Sequence, residues 1–260
     1  MDQDLLQCSH EGRTAIVRLN NPPVNVINTA LRAQFKQALK DLANNNDVTT
    51  IIITGEGKSF MAGADIRDFP NMIGKARAAY EFVYDAYEPW FLLENIEKPT
   101  IAAINGLALG AGLEMALCCD IRIAAENSKL GLPEIKLGLF PGGGGTQRLA
   151  RLIGTSKTKE LIYSGESVTA SQALELGIVN QVVPEGKALS QALALAARFN
   201  QFSLVALSAA KRAINLGNNV SLREGIEIEA QEFERVFHSD DIKEGVKAFL
   251  TKQTPFFKNK

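Results

Sequence analysis

Apolar and polar positions alternate over residues 13–20 (RTAIVRLN), the period of two expected of a strand. Asn21-Pro22-Pro23 then breaks any ladder. Between Asn28 and Leu42 the apolar residues Leu31, Phe35, Ala38, Leu39 and Leu42 recur at helical spacing, with Asn28 or Thr29 as cap. Residues 49–54 (TTIIIT) and 100–104 (TIAAI) are nearly continuous apolar runs, the pattern of strands buried on both faces. A loop, KSFMAGADI, leads into a helical stretch ending near Asn95, and Lys98-Pro99 prevents its continuation. The small-residue segment GLALGAGLEMALCCD becomes helical near Gly112. Further strands are predicted at 120–124, near 129–132, and at 178–183. Beyond residue 185 the pattern is helical only, over 186–200, 203–216, 221–237 and 240–250. The fold class is α/β, divided into a core over 1–185 and a C-terminal helical region over 186–260. Helices gathered at one end of a domain bury their apolar faces against another copy, so a homo-oligomer is expected.

Composition excludes more than it selects. Hydrophobic residues at 46% of 260 suffice for a real core. Lys+Arg of 28 against Asp+Glu of 29 gives a net charge of −1, with no general attraction to nucleic acid or acidic membranes. An anionic substrate must therefore be held by local groups. Cys8, Cys118 and Cys119 show no C-x-x-C spacing, and a reducing, cytoplasmic setting fits them best. The acidic N-terminus resembles neither a signal nor a transit peptide, and no apolar run reaches membrane-spanning length.

The motifs first eliminate chemistries. His10 and His238 lie near opposite ends of the chain, so no metal site is expected. G-x-S-x-G is absent, which disfavours a serine hydrolase. Gly110-Ala111-Gly112 follows a strand, but Met115 stands where a dinucleotide fingerprint needs its third glycine. Pro141 to Gly145 lacks the Gly-Lys-Ser/Thr ending of a phosphate loop. What survives is a backbone-donor site. A helix opening near Gly112 presents unpaired N–H groups and a positive partial charge. The loop Ala62-Gly63-Ala64-Asp65 offers a second N–H from the other side, and two such donors make an oxyanion hole. Spacing alone is met equally well by a glycine turn packed for structural reasons. Glu114 lies in the first helical turn and Glu134 follows LGLP, both amid apolar neighbours. Composition is satisfied by Glu114 as an exposed residue complementing the helix dipole. Partial burial would instead raise such carboxyls toward neutrality and fit them for proton transfer.

At these residues the chain resembles a known family. KSFMAGADI, INGLALGAGLEMALCCDIRIAAENSKLGLPEIKLGLFPGGGGTQRL, GESVTASQALELGIVNQVVP and SDDIKEGVKAFLTKQTPFF together match the crotonase (enoyl-CoA hydratase/isomerase) superfamily from about Arg13 to the C-terminus. The resemblance implies a spiral of β-β-α units and a C-terminal helical trimerisation region, giving a homotrimer or homohexamer. It implies an acyl-CoA thioester substrate with no separate cofactor, coenzyme A being part of the substrate. It assigns the oxyanion hole to the N–H groups of Ala64 and Ala111. Glu114 is given chiefly to water activation and Glu134 chiefly to the α-carbon proton. Ala62, Gly63, Asp65, Ile66, Arg67 and Gly110 would surround the substrate. Ala111 stands where many hydratases carry glycine. Asn21-Pro22-Pro23-Val24-Asn25 lacks the basic residue that many carry for the coenzyme phosphates, leaving Lys58, Arg67 or a neighbouring copy's Lys252.

Hydration of 2-enoyl-CoA to 3-hydroxyacyl-CoA is the leading expectation. The alternatives are a 3,2-enoyl-CoA isomerase, a dual activity, or a non-catalytic RNA-binding relative. Arg32, Lys36 and Lys40 form a basic stripe better explained as a solvated helix face. Phe60, Met61, Trp90, Leu139 and Phe140 suit either core or an acyl pocket.

Overall fold

The computed structural model describes residues 4–259, apart from the side chain of Asp68. Strand β1 (Leu6–Glu11) turns back through Gly12-Arg13 onto β2 (Thr14–Leu19), with Glu11 opposite Thr14. Gly12 takes the positive φ that a two-residue hairpin turn requires at its first position. Next come β3 (Thr50–Gly55), β5 (Thr100–Ile104), β7 (Ile121–Ala125) and β10 (Gln181–Val183). They join β2 as parallel neighbours in a six-stranded sheet ordered β1-β2-β3-β5-β7-β10.

Three of these long strands lead into a short one: β4 (Ser59–Met61), β6 (Leu107–Leu109) and β8 (Lys129–Gly131). These pair in parallel, and β9 (Ser167–Thr169) closes the second sheet antiparallel to β8. After each short strand comes helix. A 3₁₀ segment Ile66–Asn71 and α2 (Ala78–Asn95) follow β4, and α3 (Ala111–Cys118) follows β6. A 3₁₀ segment Pro133–Leu137 and α4 (Gly145–Ile153) follow β8. This is the spiral of β-β-α units, three turns deep.

Alternation within β3 explains its unbroken apolar sequence. Ile51 and Ile53 face a core built with α1 (Thr29–Asn44), α2 and α3, whereas Ile52 faces a second layer. Helix α7 (Ala188–Phe199) forms that layer, and Ala188, Ala192 and Ala196 stack at intervals of four against Ile52, Ile101, Ala103, Ile123 and Ala125. Alanine on the contact stripe lets the helix axis approach the sheet closely. The remaining helices are α5 (Thr155–Ser164), α6 (Ala170–Glu175), α8 (Leu204–Gly217), α9 (Leu222–Phe237) and α10 (Asp240–Thr251). The strand expected at 178–183 pairs only from Gln181, because the Ile178 carbonyl accepts Arg122 Nε at 2.7 Å and Asn180 Oδ1 accepts the Arg122 N–H at 2.9 Å. The helical stretch expected before Asn95 is two pieces, the 3₁₀ turn and α2. Among the described residues no single helix is long and apolar enough to cross a membrane.

Candidate active site

Strands β4, β6 and β8 are parallel, so their C-terminal ends emerge on one edge. Ala64 follows β4, Ala111 follows β6, and Glu134 follows β8. Their closeness can be gauged at Gly110, where a Cβ would lie 2.8 Å from Glu134 Oε1 and 3.7 Å from Gly63 Cα. The segments at Gly63, Gly110 and Glu134, successively 47 and 24 positions apart along the chain, thus share one small space.

Local bonding leaves two N–H groups open. Ile27 N–H donates to Gly63 O at 2.9 Å, and Asp65 N–H donates to Ile27 O at 2.9 Å. This bridge clamps the residues flanking Ala64, so its own N–H is directed away from Ile27. Gly110 N–H donates to Gly131 O at 2.9 Å, which makes Ala111 the first helical residue of α3 with no preceding turn to bond. Neither Ala64 N–H nor Ala111 N–H has an acceptor among the described residues. The glycine at 112 is required because a Cβ there would collide with the Met61 carbonyl, so α3 starts directly against β4.

Glu114 lies one turn into α3 and is 3% exposed. Its Oε1 accepts the N–H groups of Gly143 and Gly145, both at 2.8 Å. Oε2 has no hydrogen-bond partner among the described residues. Burial, with a smaller contribution from Glu134, raises this carboxyl to about 7, against the opposing pull of the two N–H groups and Arg148. The exposed, dipole-complementing position open to Glu114 in the sequence is not the one it occupies. Glu134 is half-buried at the start of the 3₁₀ segment, and desolvation raises its carboxyl above the ordinary value as well. Its Oε2 is buried without a partner. An unpartnered buried carboxyl oxygen is costly unless it is protonated or meets a ligand.

The other candidate residues separate. Ala62, Gly63, Asp65, Ile66 and Gly110 line the strand-end cluster or adjoin it. Asp65 caps the 3₁₀ segment, accepting Arg67 N–H at 3.1 Å and Arg67 Nε at 2.8 Å. Those bonds hold its carboxyl at about 2. Arg67 is 81% exposed beside it. Lys252 is the left-handed C-cap of α10, with no hydrogen bond or ion pair to the cluster. Phe60, Met61 and Trp90 are core, Leu139 and Phe140 exposed. In the basic stripe, Lys36 and Lys40 pair with Glu88 of α2, and Arg32 lies over Phe82. The Pro-Pro-Val-Asn segment supports the site: Asn25 Nδ2 donates to Glu56 O and Ser59 O, while Val24 O accepts the Ala62 N–H. Sequence reasoning missed Gly143 and Gly145 as partners of Glu114; a run of four glycines was their only signal. Among the described residues no group of three or more His, Cys, Asp or Glu is placed to hold a metal ion.

One buried and one half-buried carboxyl, both desolvated, beside two backbone N–H groups without acceptors are the equipment of an enzyme that moves protons next to a carbonyl group. A family model described as enoyl-CoA hydratase/isomerase matches residues 10–260. The 2,3-dehydroadipyl-CoA hydratase of Escherichia coli is 41% identical over 253 residues, 97% of this chain and 98% of its own length. A crotonyl-CoA hydratase of Syntrophomonas wolfei is 40% identical, covering 96% of each chain. The crystal structure of an enoyl-CoA hydratase from Bacillus anthracis superposes with a TM-score of 0.93 at 37% identity, covering 98% of this chain and 100% of that one. The chain belongs to the enoyl-CoA hydratase/isomerase family.

Proposed function

We propose that this protein is an enoyl-CoA hydratase that adds water reversibly to 2-enoyl-CoA thioesters, giving 3-hydroxyacyl-CoA. The observation that carries this reading is the pairing of two desolvated carboxyls with opposite bonding. Glu114 Oε1 receives two N–H groups, which favour its carboxylate, whereas Glu134 Oε2 is buried unpartnered, as suits a protonated acid. On this assignment the thioester oxygen accepts the Ala64 and Ala111 N–H groups. Glu114 takes a proton from water as the water oxygen bonds to C3. The C2=C3 electrons move toward the thioester as an enolate, which the two N–H groups stabilise. Glu134 then gives its proton to C2. The pair ends with its proton on the opposite carboxyl and is reset by exchange with solvent.

An isomerase shifts a double bond with a single proton shuttle, so two placed acids favour hydration. The family's acyl-CoA substrate supplies coenzyme A itself, and the scheme calls on neither a separate cofactor nor a metal. The coenzyme phosphates would meet Lys58, Arg67 or the partner subunit's Lys252. A homotrimer or homohexamer is supported by the apolar residues left exposed on the helical tail, Leu222 at 81%, Phe249 at 84% and Phe256 at 76%. Three thiols, two of them buried side by side, suit a cytoplasmic setting. The test is incubation of purified protein with crotonyl-CoA and longer 2-enoyl-CoA and 3-enoyl-CoA esters, scored by product. Hydration of 2-enoyl esters is expected; isomerisation alone, or no turnover of any ester, overturns the reading. Light scattering should give a trimer or hexamer, and a monomer at micromolar concentration would refute that part. RNA retention across a salt series should be absent.

A further inference from the structure

We infer that Arg148 is a positioning residue for Glu114, acting through the main chain of Gly143 and held in turn by Glu94. The inference rests on the assignment of Glu114 as the base that activates water. Gly142 to Gly145 contains four consecutive glycines, the least self-constrained backbone possible, yet two of its N–H groups must stay aimed at one carboxylate oxygen. A chain without side chains has to be fixed from outside. Arg148 supplies the tether: its Nη1 donates to Gly143 O at 3.2 Å. Gly143 is therefore pinned at both ends, its N–H on Glu114 and its carbonyl on Arg148.

The guanidinium is itself clamped. Nε and Nη2 donate to the two oxygens of Glu94 on α2 at 2.9 and 2.8 Å, a bidentate pair whose arginine side chain is 13% exposed. The Phe91 ring lies 5.7 Å from its centre. A Cβ on Gly144 would collide with Nη1, so the glycine run also makes room for the group that holds it. The charge is directed usefully as well. Around Glu114 stand Glu134 from the 3₁₀ segment, Arg148 from α4, Tyr87 and Glu94 from α2, and Cys118 on its own helix; β4 and β6 contribute no titratable side chain. Arg148 is the one cation in that group and opposes both burial and Glu134.

Two readouts separate this role from a simple brace between α2 and α4. In Arg148→Met, kcat for 2-enoyl-CoA hydration should fall about tenfold to hundredfold with KM changed less than about threefold. The Glu114 titration, followed by difference infrared spectroscopy and identified by its absence in Glu114→Gln, should move to higher pH, because a favourable charge is lost. Arg148→Lys should restore the titration midpoint, since the charge returns, while kcat stays about tenfold low because the fork is gone. A folded Arg148→Met protein with wild-type kcat, or with low kcat and an unmoved midpoint, overturns the proposal. Should the methionine variant fail to fold, the lysine variant decides: wild-type kcat there also overturns it. The infrared titration needs no turnover, so it still reports on Arg148 if the protein hydrates no enoyl ester and the functional reading itself fails.

Discussion

Replacing Glu114 by glutamine preserves the shape of the side chain and removes its charge, and the structure sets how much that should matter. The Gly143 and Gly145 N–H groups can still meet the amide oxygen. Burial is the main cause lifting the carboxyl from 4.5 to about 7. A carboxyl whose value rises on folding stabilises the folded state fully below its unfolded value, near 4.5, and that contribution is lost as pH rises through about 7. The interval from 4.5 to about 7 corresponds to roughly 3 kcal/mol. Above neutrality the wild-type protein holds a desolvated charge and the variant does not. Glu114→Gln should therefore melt higher than wild type near pH 8.5, by roughly 5–10 °C at most, and alongside it near pH 5. Hydration should fall at least about a hundredfold, the typical contribution of a positioned base. Melting curves across that range and initial rates on crotonyl-CoA measure both. A melting difference that is the same at both ends would show that burial does not oppose ionisation here. Near-full turnover would remove Glu114 from the mechanism.

Glu134→Gln should also cost at least about a hundredfold in hydration with the fold intact, checked by initial rates beside circular dichroism. Ala111→Gly keeps the N–H donor and should retain most activity. Ala111→Pro removes the donor and should slow turnover about a hundredfold or more while still binding a saturated acyl-CoA; a folded proline variant with ordinary turnover would place the thioester oxygen elsewhere. Gly143→Ala inserts a methyl into the space of Glu114 Oε2 and 2.8 Å from Trp90 Nε1, so the loop must shift and activity should drop about tenfold or more with a fold seen as native by circular dichroism. Unchanged kinetics there would mean that the loop does not orient Glu114.

The sequence made the long strands and tail helices legible because burial on both faces, or on one stripe, writes itself into hydrophobic period. TTIIIT and TIAAI became β3 and β5, and the four tail helices begin within about two residues of their expected starts. Strands β4, β6 and β9 were missed because three residues are too few to show a period; they exist through pairing, not through local preference. Strand β1 was missed for the opposite reason: of its six residues only Leu6 is buried, the signature of an edge strand in water. The two glutamates were legible as carboxylates among apolar residues. Their partners were not, since Gly143 and Gly145 are 29 and 31 positions from Glu114 and donate through backbone, which carries no residue-type signal.

Three parallel short strands explain why the same edge gathers two unpaired N–H groups and two carboxyls. Each turn of the spiral sends a long strand across the main sheet and a short one toward the site. The chain therefore delivers Ala64, then Ala111 with Glu114, then Glu134, each just beyond a strand end. Where donors are backbone N–H groups, the accuracy of the site is the accuracy of strand register, and a one-residue slip would reverse which way each group points. The register is fixed by contacts that leave no latitude. Gly112 lies where any Cβ would meet the Met61 carbonyl, Asn25 ties Glu56 and Ser59 from beneath, and the Ile27 bridge holds both neighbours of Ala64. Small residues at these strand ends are thus required by the approach of one strand end to the next. The same pairing leaves the Ala64 and Ala111 N–H groups without acceptors, so an oxyanion hole made of them would be set by strand register.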